Sequence, residues 1–456
     1  MYLIKKTVAF LCVYVLTTNC FAQNTVYLPQ KISVAALKAD FLLLRDTLQK
    51  IHPGIYRYKS STIISHIFDS CYNSIQDNMT VPQFFMLINF AIAAMEDGHS
   101  NSRMAKQVMK DYINNTKLFP AMVMFIHNRA FIYCCNQNIS LAGAELTSIN
   151  NQPIQQIVQR SFAYIPSDAD IQSRKNWELN ENFPFFYPLL HEAVDKFNIT
   201  YKNENGALKK ATLQPDVFQN INCPAPFKRP EKYLQLTYKP GNIAVLGIKT
   251  FLDDFLQQTG ENFNRFLDSA FTDIRNKNVT KLLIDIRGNQ GGNDGNGALL
   301  YAYLTQQPFM YYASQETVSG KFAPDDNHPN LKWQQPKQNS FAGKVYILAD
   351  GHSFSASAEF SAIARSNKRA LFLGEEAGGG YYGNTSGNEL FITLPNSQLS
   401  CRIPLVKYTS AVKKNANKGN SILPEYPIYQ TIFDFINHTD SQLDRALVIV
   451  GQNQKQ

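Results

Sequence analysis

The stretch Leu282-Leu283-Ile284-Asp285-Ile286-Arg287-Gly288-Asn289-Gln290-Gly291-Gly292 decides how the chain is organised. Residues 281–286 form an apolar run of strand length, as in a strand buried on both faces of a parallel sheet. The run empties into a glycine-rich loop. Such a loop either cradles a phosphate or turns backbone N–H groups toward an oxyanion. It has neither the Lys-Ser/Thr of a P-loop nor GxGxxG spacing, so the oxyanion use is the one that fits.

Outward from this stretch, strands are expected at 243–248, 344–348 and 370–374. Helices are expected at 262–276, from 297 to 304, and at 356–365. The alternation predicts an α/β sheet covered on both faces, with function where loops leave the strand ends. One such end reads Ala349-Asp350-Gly351-His352-Ser353-Phe354-Ser355-Ala356-Ser357-Ala358-Glu359-Phe360. A serine here sits at a helix N-terminus, where free N–H groups and the dipole favour developing negative charge. The ordinary reading of such a serine is an N-cap. Its pairing with the glycine loop makes it a candidate nucleophile instead.

Toward the N-terminus, residues 118–213 are β-rich, with strands at 121–125 and 130–134 and a turn at Asn128-Arg129. The following Gly143 to Ile154, with Ile149-Asn150-Asn151, resembles a PDZ domain, without that module's glycine-rich carboxylate-binding loop. Residues 33–103 show helical periodicity in three segments. The first ends at His52-Pro53-Gly54, and the third delivers Glu96-Asp97-Gly98-His99-Ser100 onto a loop. Residues 431–450 are expected to form a closing helix pair.

Residues 1–22 have the shape of a secretory signal: Lys5 and Lys6, then an apolar segment from Val8 to Leu16 too short to span a membrane. Cleavage after Ala22 is preferred to lipidation at Cys20, because Thr17-Thr18-Asn19 is a poor approach to a lipidated cysteine. The mature protein is expected to be exported, periplasmic or secreted, without a membrane span. The full 456-residue chain is 44% hydrophobic and 18% charged, which excludes a disordered or coiled-coil chain and implies two or three domains. The net charge of +8 comes without a basic block, so no nucleic-acid partner is expected. Lys413, Lys414 and Lys418 read as a solvated loop. Seven cysteines without a CxxC pair suggest neither a disulfide scaffold nor a zinc ribbon, and Cys134 and Cys135 read as packing residues. No histidine pair has HxxxH or HxH spacing, and Asp325-Asp326-Asn327-His328 reads as a solvated loop, so neither metal nor cofactor is expected.

The two segments around Gly291 and Ser355, with Gly374-Glu375 after a strand, resemble the tail-specific or C-terminal processing serine peptidases. This family includes the tricorn core protease and a retinoid-binding relative. The resemblance implies a crotonase/ClpP-like α/β peptidase core at 229–456, preceded by a helical domain at 23–113 and a PDZ-like domain at 114–228. It implies an oxyanion hole from Gly291 or Gly292 with Ala356. Counting back from Arg369 to Gly374 places the nucleophile on Ser355, and an alignment on Glu359 shifts it toward Ser357. Where the bacterial members carry a lysine base, this chain has Gly380. The tricorn-like branch, which the chain resembles more, takes a histidine from the N-terminal helical region, a context His99 matches. Asp97 and Ser100 are candidates to orient its ring, and Glu376 and Glu425 are weaker ones. His352, three residues before Ser355, competes as base. The expected activity is endopeptidase cleavage of peptides or unfolded proteins. The rival, motivated by the missing lysine, is an inactive peptide- or ligand-binding protein on the same scaffold.

Overall fold

The structure is a computed structural model that describes residues 31–227, 229–318, 328–414 and 420–452. The expected leader at 1–22, with Cys12 and Cys20, lies outside the described residues, as do Asp325, Asp326, Asn327 and Lys418.

The apolar run forms the strand Lys281–Asp285, in the middle of a six-stranded sheet. Across the sheet the order is Tyr426–Pro427, Ala370–Gly374, Lys344–Ala349, Lys281–Asp285, Ile243–Ile248 and Leu234–Lys239, all parallel except the last. The strands follow one another in chain order, so right-handed crossovers put the connecting helices on one face. These are Phe263–Asn276, Asp294–Ala302 and Ala356–Ser366. Alternate strand residues Leu246, Leu282, Ile284 and Ile347 pack against Leu267, Phe271 and Phe360 of these helices. The intervening residues Val245, Leu283, Tyr346 and Leu348 face Ala446 and Val450 of the C-terminal helix Ser441–Gln452. The expected α/β class is correct. The second face is covered by a chain-terminal helix rather than by a crossover.

The β-rich stretch forms a second sheet, from Met122–Ile126 through Arg129–Cys134, Glu145–Ile149 and Phe197–Lys202 to Leu208–Leu213. Its first turn is His127-Asn128, one residue earlier than expected. Both residues take positive φ (46° and 59°), as a two-residue hairpin turn requires. The helices Ile154–Phe162 and Gln172–Leu190 close this sheet's core through Ile157, Leu179 and Phe183. Pro184 and Pro188 lie inside the second helix and hide it from a sequence reading. The expectation for Cys134 is overturned: it forms a disulfide with Cys223, Cα–Cα 5.8 Å. Cys71, Cys135 and Cys401 are buried free thiols.

The three N-terminal helices are Val34–Ile51, Ser61–Asn73 and Val81–Ala93, each capped by a side-chain hydroxyl, from Ser33, Ser60 and Thr80. Their core of Leu37, Phe41, Phe68 and Phe84 also contains Leu394, Leu399, Cys401, Ile403 and Leu405. Those five come from the region of the hairpin Thr385–Thr393 and Ser400–Ser410, far along the chain. The short strand Asn101–Arg103 pairs with the second arm of this hairpin, Asn101 opposite Arg402, which anchors the segment just after His99. No described helix is long and apolar enough to cross a membrane.

Candidate active site

The strands Lys281–Asp285 and Lys344–Ala349 are parallel neighbours, so the glycine loop and the serine turn leave the sheet side by side at the same end. Fully buried Asn289 joins them. Its Oδ1 accepts from Gly291 N–H (2.9 Å), its Nδ2 donates to the Ile248 carbonyl (3.1 Å), and its own carbonyl accepts from Phe354 N–H (3.1 Å). Asp350 accepts from Gly288 N–H, and Ser353 Oγ donates to the Ile286 carbonyl (2.9 Å). Gly291 lies flush on the nucleophile turn: a Cβ there would stand 2.7 Å from Ser355 Cβ and 2.9 Å from Ala356 N. Its φ of +92° adds a second reason for glycine. Because Gly291 N–H is engaged by Asn289, it leaves the oxyanion pair. Gly292 N–H and Ala356 N–H take part in none of these loop bonds.

Ser355 has φ 52° and ψ −128°, a strained conformation for a non-glycine residue, at the entry of the helix Ala356–Ser366. Its Oγ lies 3.0 Å from His99 Nε2. His99 rides on a turn made by Asp97, whose Oδ1 accepts the N–H groups of His99 (2.8 Å) and Ser100 (2.9 Å). Asp97 Oδ2 faces His52 Nε2 at 3.2 Å, and Ser100 Oγ lies 3.0 Å from the same nitrogen. His52 Nδ1 accepts from Gly54 N–H, which places the His52 ring proton on Nε2. Burial pushes the Asp97 carboxyl up, but the His52 ring and the His99 N–H outweigh it and hold it well below the usual carboxylate range. Asp97 therefore orients the backbone of His99 and not its ring, and Ser100 turns its hydroxyl to His52. His99 Nδ1 is buried and makes no hydrogen bond among the described residues. Burial pushes the imidazole down to about 4, opposed by Asp97 and reinforced by Arg402, Arg174 and Arg57.

Sequence reasoning missed Asp168, which comes from the segment between the two helices of the middle sheet. Its carboxyl accepts from Gly98 N–H (2.9 Å) and from Gly380 N–H (3.2 Å), clipping the His99 loop to the loop at Gly380. Burial, helped by the charge of Asp97, raises Asp168 to about 6. At Gly380 a Cβ would meet Tyr58 Oη at 2.9 Å, so that position has no room for a lysine. Glu359 was also missed as a site residue: it accepts from Tyr312 Oη (2.8 Å) and Asn384 Nδ2 (2.6 Å). Burial next to Asp294 raises it to about 8.

The remaining candidates are engaged elsewhere. Ser357 is fully buried inside the helix. His352 stacks on Trp177 at 4.0 Å, beside Glu181, and burial pushes it down to about 3. Glu376 accepts from Ser173 N–H (3.4 Å), and Glu425 holds Arg365 and the Phe372 N–H. Ser355 and His99 open onto a cleft of about 990 Å³, walled by Leu252 and Tyr312 on one side and Tyr112, Ile113 and Phe186 on the other. Among the described residues no cluster of His, Cys, Asp and Glu has the makings of a metal site.

Comparison with known proteins places this geometry. Residues 242–428 match Peptidase family S41. The fold is similar to that of mature CPAF, at 12% identity over 92% of this chain and 99% of that one, TM-score 0.64. It is likewise similar to mature CPAF complexed with lactacystin, at 12% identity over the same shares of the two chains, TM-score 0.63. No curated protein matches the sequence. Both the glycine loop and the Ser355 turn fall inside the matched segment, and the chain therefore carries a peptidase domain of family S41 and is a serine-type peptidase.

Proposed function

We propose that the protein is an exported endopeptidase that cleaves peptide bonds through an acyl-enzyme on Ser355, with His99 as general base. The observation that carries this reading is the 3.0 Å contact between His99 Nε2 and Ser355 Oγ, made between residues 256 positions apart. Its depressed pKa keeps His99 neutral at ordinary pH, so Nε2 is free to accept the hydroxyl proton as Ser355 attacks the carbonyl. The N–H groups of Gly292 and Ala356, the latter at a helix N-terminus, stabilise the tetrahedral oxyanion. His99 then returns the proton to the leaving amine, and water, activated by the same ring, releases the acyl group.

Export is supported by the signal-like residues 1–22 and by the Cys134–Cys223 disulfide, which belongs to an oxidising compartment. Peptides and unfolded proteins are the substrates that fit a cleft of about 990 Å³ with partly apolar walls. The proposed division is a helical domain at 23–113, a PDZ-like domain at 114–228 and the catalytic domain at 229–456. The binding-protein alternative rested on the missing lysine, and a histidine already in place removes that motive.

A fluorophosphonate probe tests the assignment. Wild type and Ser357→Ala are expected to be labelled, Ser355→Ala not at all, and His99→Ala at least about 100-fold more slowly. Labelling of Ser355→Ala at the wild-type rate, or peptide cleavage unaffected by that change, overturns it.

A further inference from the structure

The general base of this site lacks the hydrogen bond that usually fixes such a ring. Asp97 is spent on two backbone N–H groups and on His52, Ser100 turns to His52, and His99 Nδ1 has no partner among the described residues. What does hold the imidazole is a ring. Phe354, the residue immediately before the nucleophile, stacks on His99 with centroids 4.6 Å apart and planes 27° from parallel. Phe354 is itself 6% exposed and is gripped by Asn289, whose carbonyl accepts its N–H. Two glycines make room for it: a Cβ at Gly98 would stand 2.9 Å from the Phe354 ring, and one at Gly379 would stand 3.4 Å away. Gly98 directly precedes His99, so the backbone of the base and the face of the ring are in contact as well. The same ring lies under the Arg174 guanidinium at 4.8 Å.

We propose that Phe354 is a positioning residue for the base: its face sets the plane of the His99 ring and stabilises the imidazolium as it forms in the transition state. The inference rests on the Ser355–His99 reading. A cation held within about 6 Å of an aromatic centroid is attracted to the negative face of the ring, more strongly where water is excluded. The charged groups around His99 leave work for such a face. Asp97 favours the imidazolium, while Arg402, Arg174 and Arg57 oppose it, and Asp168 is bound to the backbone at Gly98. Nucleophile and platform are consecutive residues, so the turn that strains Ser355 also presents the ring.

The test measures kcat, KM and the acid limb of kcat/KM on a peptide substrate, together with fluorophosphonate labelling rates. The variants are Phe354→Leu and a series in which Phe354 is replaced by increasingly fluorinated phenylalanines. Fluorination keeps the shape and drains the negative face, so this series remains informative should Phe354→Leu not fold. Expected are a kcat lower by roughly 3- to 30-fold with KM little changed, and an acid limb displaced to lower pH by about 0.4 to 1.5 units, graded with fluorine number. A flat fluorine series with the acid limb in place overturns the role of Phe354, provided that His99→Ala is slow. If His99→Ala is itself labelled at the wild-type rate, the reading of the base has failed and the inference falls with it.

Discussion

At the scale of single residues, the site places a buried imidazole against the hydroxyl of a residue with a strained backbone. His99 is 4% exposed, and its burial fixes the sign of the pH dependence. The folded imidazole titrates at about 4 instead of 6.5, so the reactive neutral form persists as pH falls through the ordinary histidine range. The acid limb of kcat/KM, measured on a peptide substrate, is expected near about pH 4, and a limb near 6.5 would contradict the buried environment of the ring. Ser355 was legible because its small-residue turn pairs with a glycine-rich loop after a second apolar strand, and the family resemblance then chose it over Ser357. His99 was legible only through the family resemblance, since a histidine on a loop after three helices is by itself an ordinary surface residue. Asp168 carried no signal: its role depends on accepting Gly98 and Gly380 N–H groups that lie 70 and 212 positions away in sequence. Phe354 read as one more apolar residue, since stacking is a property of neighbours in space.

At the scale of elements, the buried strands were readable because a period-free apolar run of strand length has one stable home in a parallel sheet. The hairpin Thr385–Thr393 and Ser400–Ser410 was not, because its apolar residues serve the core of another part of the chain. The helix Gln172–Leu190 was hidden by its two prolines. The disulfide was hidden because pairing follows Cα proximity and not spacing along the chain. Cys134 lies on a strand of the middle sheet, whereas Cys223 lies in the segment leading to the strand Leu234–Lys239, 89 residues later. The bond therefore ties the middle sheet to the run-up of the catalytic sheet. Cys223→Ser, or a reductant, is expected to destabilise the protein by about 2–5 kcal/mol, read as a lower denaturation midpoint. An unchanged midpoint on reduction would show that the cross-link adds nothing to folding. Ser355 labelling in the surviving native state is expected to be little changed, since neither sulfur touches the cleft.

At the scale of the whole molecule, buried acids shape stability. Glu359 has a folded pKa raised from 4.5 to about 8 by burial beside Asp294. Between these values the folded state holds a proton that the unfolded state has released, so this contribution is complete below 4.5 and lost as pH rises through 8. By about pH 7.5 the depressed histidines have lost nearly all their protons in both states, so above it the raised carboxyl of Glu359 is no longer opposed by them. The thermal midpoint is accordingly expected to fall between about pH 7.5 and 8.5, and to fall less in Glu359→Gln. Equal slopes in the two proteins would place the ionisation of Glu359 outside this range.

The return of the late hairpin to the early helices also has a meaning in time. During synthesis the His99 loop leaves the ribosome 256 residues ahead of Ser355, and the helical core that steadies it stays open until Ile403 and Leu405 have followed. The arrangement of the site thus depends on both ends of the chain having come together, and a chain cut short before Ile403 and Leu405 lacks part of the core that steadies the His99 loop.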